Sequence, residues 1–210
     1  IPQEVPDARP SNRQSPSDGE LMASDELDKV ELPALEQLQS LGWSYVGGEK
    51  LSPDESDERS SLKDVVLEKR LTESLKRINP WINDENLRKV IRELTKTKYS
   101  KLIEANQDIW THINQCISVM QDLGKGNRGQ TVHIIDFEHP ENNEFLCTNQ
   151  FKVSGVNQNI IPDILCFVNG LPLAVIECKS PFITNPIEAG INQLLRYANR
   201  RTPENDEATI

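Results

Sequence analysis

Two carboxylates and a lysine interrupt an otherwise apolar unit near the C-terminal end of the chain. Asp163 follows Pro162 at its start, and Glu177 and Lys179 close it. Between them lie two apolar runs, Ile164–Val168 and Leu171–Ile176, separated by Asn169-Gly170, which is a strong hairpin signal. Charges at the edge of a buried hairpin are costly unless paired, hydrated or bound to metal. Two carboxylates converging from adjacent strands are suited to hold a hard cation, and a lysine beside them can place a water and offset developing negative charge. That is the chemistry of phosphodiester hydrolysis.

Strand periodicity makes this constellation checkable. Glu177 and Lys179 are two apart and share a face, while Ile176 and Cys178 point the other way. With a two-residue turn at Asn169-Gly170 and an unbroken ladder, Asp163 falls opposite Ile176, on the wrong face. Either an odd-numbered connection, such as Asn169-Gly170-Leu171, or a bulge is therefore expected. A lone Glu-x-Lys occurs commonly at the ends of solvated hairpins. Here the Pro-Asp, the hairpin length, the apolar interiors and the helix that follows all agree. On that helix Gln193 and Tyr197 are four apart and share a face, where an amide and a phenol could hold a phosphate or the displaced strand.

The elements that must position these residues fall into a helical part and a strand part. Residues 1–24 are rich in Pro, Ser, Asp and Glu without periodicity and read as a disordered acidic tail, with the folded domain over 25–210. A short helix is expected near Pro33–Leu41 and a short strand at Trp43–Val46, followed by an acidic loop over 47–60. Apolar spacing predicts helices from Ser61 to Ile78, at about 85–97, and at about 101–121. Strands follow at Thr131–Phe137, Phe145–Val153, Ile160–Val168 and Leu173–Cys178, then a helix over Pro186–Arg200. This order implies an α+β, or mixed α/β, fold: a mixed sheet flanked by helices, with inserted helices. The segment Gly124–Thr131 is glycine-rich and basic, but Gln130 precedes the Thr and a strand follows, so it reads as a turn and not a P-loop.

Charge and cysteines narrow the function classes. The net charge of -10 is uneven: residues 1–60 hold 14 Asp and Glu against 5 Lys and Arg, and residues 61–210 hold 19 against 18. The part with the chemistry is thus near neutral, and phosphate contacts must come from local clusters. Candidates are Arg88, Lys89, Arg92, Lys96, Lys98 and Lys101, which also read as a solvated helix face, and Arg196, Arg200 and Arg201. Four cysteines (Cys116, Cys147, Cys166, Cys178) and three histidines lack zinc spacing, which points to a reducing cytoplasm. No apolar run is long enough for a membrane span, and Ile1-Pro2-Gln3-Glu4 does not open a secretory signal. A start without Met points to a processed or excised chain.

Over roughly 31–210 the sequence resembles the N-terminal nuclease domain of type I restriction enzyme R subunits, of the PD-(D/E)xK superfamily. The resemblance includes Leu41-Gly42-Trp43, Ile78-Asn79-Pro80, Ile135-Asp136-Phe137, Pro140–Phe145 and Asn149-Gln150-Phe151. Its densest part is Pro162-Asp163-Ile164, Val168–Leu173 and Ile176–Pro181, completed by Ala189–Gln193 with Arg196-Tyr197. The resemblance implies a Mg²⁺-dependent endonuclease acting on double-stranded DNA inside an ATP-dependent complex with methyltransferase and specificity subunits. It implies Asp163 and Glu177 as Mg²⁺ ligands, Lys179 as the catalytic lysine, and Gln193 and Tyr197 as the helix motif shared with RecB-family nucleases. A glutamate from the first core helix is also implied near the metal; Glu68 is the first choice and Glu73 the second. Cys178 is smaller than the aliphatic residue common in that position. No motor motif occurs up to Ile210, so ATP binding is expected only through motor domains of a longer subunit. Two other readings stay open: a free-standing repair or recombination nuclease of the same fold, and a catalytically silent DNA-binding or docking module.

Overall fold

The hairpin sits at one side of a four-stranded mixed sheet. The structure is a computed structural model describing residues 25–96, 98–99, 101–154 and 159–197. The tail expected over 1–24, and Arg200 and Arg201, lie outside the described residues. Helices are α1 (Leu32–Ser40), α2 (Glu68–Ile78), α3 (Asp84–Thr95), α4 (Leu102–Gln115) and α5 (Pro186–Tyr197). Strands are β1 (Ser44–Tyr45), β2 (Ile117–Asp122), β3 (Asn127–Val132), β4 (Phe145–Asn149), β5 (Val153–Ser154), β6 (Asn159–Ile160), β7 (Ile164–Val168) and β8 (Leu171–Ile176). The main sheet runs β1-β4-β7-β8, parallel between β1 and β4 and antiparallel elsewhere. This is the mixed α and β architecture expected. Among the described residues, no helix is long and apolar enough to cross a membrane.

Burial explains the layout. All five residues of β7 are buried, as a central strand covered on both faces requires. Leu165 and Phe167 alternate onto one face with Leu146, Phe151, Leu51 and Leu67, where Phe151 and Phe167 meet edge to face. Ile164 and Cys166 turn to the other face with Cys147 and Cys178, and Leu35 of α1 closes over them. A larger apolar cluster joins α2, α3 and the β2–β3 hairpin. The three cysteines in the sheet region behave as small hydrophobes. Burial pushes the Cys166 thiol up to about 11 and the Cys178 thiol up to about 12.

Several expected elements differ: the strand expected over Thr131–Phe137 runs over Asn127–Val132 instead, those over Phe145–Val153 and Ile160–Val168 are each split in two, and two helices have other ends. The helix expected from Ser61 begins only at Glu68, because Ser61 closes local bonds that compete with helix: its hydroxyl accepts the Lys63 N–H and its carbonyl the Asp64 N–H. The helix expected over 101–121 stops at Gln115. Cys116 takes a left-handed φ of 63°, and Ile117–Asp122 then alternates buried and exposed as β2. The glycine-rich segment, expected as a turn, holds the tip of the β2–β3 hairpin, with positive φ at Gly124 and Gly126, and most of its second strand, β3. Arg88, Lys89, Arg92, Lys96, Lys98 and Lys101 are all exposed; Lys89 pairs with Glu85 of its own helix, and Lys101, just before α4, pairs with Glu104.

Candidate active site

The turn of the β7–β8 hairpin is a two-residue one. Val168 pairs with Leu171, and both Asn169 (φ 53°) and Gly170 (φ 80°) take the left-handed conformation of a type I′ turn. Asn169 is fully buried with its amide satisfied. Its Oδ1 accepts the Glu144 N–H, and its Nδ2 donates to the Ile134 carbonyl and Asn143 Oδ1. On the other side, the Leu67 N–H at the head of α2 donates to the Gly170 carbonyl at 2.9 Å.

The expected odd residue appears as a bulge in β8. Phe167 pairs with Pro172 but Cys166 with Ala174, so Leu173 has no partner in the ladder. Pro172, which lacks an N–H, is accommodated beside this irregularity. Beyond it the register runs Leu165 with Val175 and Ile164 with Ile176, and its next step sets Asp163 opposite Glu177.

At that end three functional groups converge. The Lys179 ammonium lies 3.6 Å from Asp163 Oδ2 and 3.6 Å from Glu177 Oε2. It also donates to the Cys178 carbonyl at 2.6 Å. Asp163 Oδ2 accepts the Cys178 N–H at 2.7 Å, and the Asp163 carbonyl accepts the Gln150 N–H, so this residue is fixed to both neighbouring strands. The Glu177 side chain is only 1% exposed, and neither of its oxygens closes a hydrogen bond of ordinary geometry. Burial, together with the negative charge of Asp163, lifts its carboxyl to about 7, against the opposing pull of Lys179.

Helix α5 places Gln193 and Tyr197 together, as their spacing requires. The Gln193 amide donates to the Tyr197 hydroxyl at 2.7 Å. Tyr197 is buried, which raises its pKa, and it stands near enough to Glu177 for each to act on the other's titration.

Glu68 is not at this site. The head of α2 abuts the turn end of the hairpin, whereas Asp163 lies past the far end of β7, roughly 17 Å away at the rise of a five-residue strand. Glu68 and Glu73 instead line a separate groove with Asp57, Lys63, Asp64 and Lys69. The glutamates that do approach come from the turn leading into α1. Glu31 is buried; its Oε1 accepts the Asn149 amide at 2.7 Å and its Oε2 the Gln150 amide at 3.4 Å. Burial raises its pKa, helped by the charges of Asp163 and Glu26 and opposed by the two amides. Sequence spacing held a signal for it. Glu31 is four residues before Leu35, whose face of α1 packs on Ile164 and Cys178 at the site end of the sheet.

Residues 24–208 match the family model described as the type I restriction enzyme R protein N terminus. The chain belongs to that family. It is 34% identical over 155 residues, 72% of its length, to the putative type I restriction enzyme MjaIXP endonuclease subunit of Methanocaldococcus jannaschii. It is also 34% identical over 154 residues, again 72% of its length, to the type I restriction enzyme HindI endonuclease subunit of Haemophilus influenzae. The chain covers 15% of each of these relatives, so this R protein N terminus matches a small part of a much larger subunit. The constellation of Asp163, Glu177 and Lys179 lies inside the matched region.

Proposed function

We propose that this R protein N terminus is the DNA-cutting domain of an ATP-dependent type I restriction enzyme, with a PD-(D/E)xK site made of Asp163, Glu177 and Lys179. One observation carries the reading: a bulged hairpin brings two carboxylates to within 3.6 Å of one lysine ammonium. A buried carboxylate with no hydrogen-bond donor is expensive. Neither oxygen of the buried Glu177 closes an ordinary hydrogen bond, the Lys179 ammonium standing 3.6 Å away, and a bound cation would offset the cost that remains. Among the described residues no three His, Cys, Asp or Glu side chains form a ready metal cage. Mg²⁺ does not require one, because it keeps several waters and binds through one or two carboxylates.

Asp163 and Glu177 would hold the Mg²⁺, with Glu31 in the helix position first assigned to Glu68. When bound, the ion would polarise the phosphate and lower the pKa of an attacking water. Asp163 commits Oδ2 to the Cys178 N–H, which leaves Oδ1 as the oxygen outside that bond. Lys179 would orient the water and balance charge developing on the phosphate oxygens. Gln193 and Tyr197 form a hydrogen-bonded pair on the adjoining helix and would support the DNA backbone.

In this reading the chain is part of a longer subunit, as in the relatives of which it covers 15%, and the rest of that subunit supplies ATP binding and translocation. Methyltransferase and specificity subunits complete the complex, which acts on double-stranded DNA in the cytoplasm. The test is plasmid nicking by the assembled complex carrying Asp163→Ala or Lys179→Ala in the full-length subunit. Cleavage is expected to fall by a factor on the order of 10² or more, as when a transition-state contact is removed, with ATP hydrolysis unchanged. Cleavage at the wild-type rate in either variant would refute the assignment.

A further inference from the structure

We propose that Glu26 is a positioning residue for Lys179, an inference that rests on Lys179 acting in the site described above. Glu26 lies outside the hairpin, in the turn that leads into α1, and belongs to none of the motifs singled out in the sequence. Its Oε2 accepts the Ser180 N–H at 2.8 Å, and its Oε1 lies 3.7 Å from the Lys179 ammonium.

The same helical turn grips the chain a second time. The Lys29 ammonium stands 4.6 Å from the ring centre of Phe182, a cation–π contact. Ser180 between these two grips is buried, and its hydroxyl accepts the Phe182 N–H. Residues 179–182, past the end of β8, are thus held against the turn that precedes α1 through Glu26 and Lys29.

A lysine carries a compact charge on a flexible four-carbon stem, so its ammonium needs fixed partners to hold one position. Three carboxylates surround it at 3.6–3.7 Å: Asp163, Glu177 and Glu26. The first two are those the proposed function gives to a cation. Glu26 is anchored by the Ser180 N–H, so it remains a counter-ion to Lys179 that the cation does not claim. It thereby fixes the ammonium on its own side of the site, as supporting residues commonly hold a catalytic group.

The charge and the backbone contact can be separated. Glu26→Gln keeps an oxygen for the Ser180 N–H but removes the charge facing Lys179; Glu26→Ala removes both. Each would be placed in the full-length subunit of the assembled complex, beside Lys179→Ala. The first readout is DNA cleavage, with kcat and KM separated. The second is acylation of Lys179 by an amine-reactive ester without divalent cation, read by peptide mass spectrometry against the other lysines.

For Glu26→Gln the expected result is a kcat lower by roughly ten- to a hundredfold, the scale of a catalytic group misplaced by about an ångström. KM and ATP hydrolysis stay level, and Lys179 acylation rises severalfold. Wild-type cleavage or wild-type Lys179 acylation in Glu26→Gln would overturn the proposal, even if Glu26→Ala is impaired, because the contact would then be structural only. If Lys179→Ala itself cleaves normally, the site reading fails and takes this inference with it. If Lys179→Ala is inactive and Glu26→Gln is not, only the role of Glu26 fails.

Discussion

Asp163 stands across the hairpin from Glu177 because β8 carries one residue, Leu173, with no partner on β7. Without that residue's offset, the two-residue turn would set Asp163 against Ile176, whose side chain belongs to the other face. With β8 at its present length, the bulge therefore decides whether the two carboxylates share a site.

A pair of length changes tests this relationship. Deleting Leu173 makes the ladder regular and moves Glu177 one step nearer the turn, so it still opposes Asp163. Inserting an alanine after Leu173 adds a second odd residue and, with a single bulge retained, turns Glu177 to the opposite face. Calorimetric titration with Mn²⁺ is expected to show binding in the deletion variant and none in the insertion variant, with both folded by far-UV circular dichroism. A folded deletion variant without Mn²⁺ binding would show that the bulge does more than set register.

The turn that closes the hairpin is constrained by conformation and by space. Gly170 has φ 80°, and a Cβ there would lie 2.5 Å from the Leu67 carbonyl oxygen and 2.8 Å from the Leu71 nitrogen. Both are backbone atoms, which cannot swing aside. Gly170→Ala should cost about 1–2 kcal/mol for the left-handed conformation and about 1–3 kcal/mol for overpacking. Gly42 is the comparison, since it has φ 94° with nothing within 4 Å of an added Cβ. Gly42→Ala should lose only the conformational part. Thermal unfolding should show a drop of at least about 4 °C for Gly170→Ala, and a smaller one for Gly42→Ala. Equal drops would mean that α2 moves away from the turn without cost.

Much of the site was legible because its residues are close in sequence and obey strand and helix periods. Asp163, Glu177 and Lys179 frame one hairpin, and Gln193 with Tyr197 fit one helical turn. Strand parity demands an odd residue but does not distinguish a loop from a bulge. Asn169 and Gly170 both accept left-handed φ, and that favours the tight turn, leaving the odd residue to β8. The choice of Glu68 rests on the helix expected over Ser61 to Ile78, which apolar spacing marks as the first core helix, and the structure sets that helix at the turn end of the hairpin. Proximity to the site instead depends on how α1 packs across Ile164 and Cys178, a contact more than 120 residues apart along the chain. Strand β2 was hidden for a local reason: Ile117 and Val119 extend the apolar spacing of α4, and only the reversed backbone at Cys116 ends the helix.

The buried Glu177 should make stability depend on pH in a direction opposite to most surface carboxylates. Its carboxyl is lifted by burial, and next by Asp163, from the ordinary 4.5 to about 7 in the fold. The native state therefore holds this proton more tightly than the unfolded chain. Its contribution is fully present below about pH 4.5, and it declines as pH rises to about 7 and stays lost above that. Glu177→Gln mimics the neutral acid at every pH. In chelator, the variant should be more stable than the wild type at pH 8 by roughly 1–3 kcal/mol, with the difference closing toward pH 4.5. Urea unfolding at the two pH values measures this directly. A Glu177→Gln difference that is the same at pH 8 and pH 4.5 would show that Glu177 is already compensated within the fold, and the case for a site strained toward cation binding would fall with it.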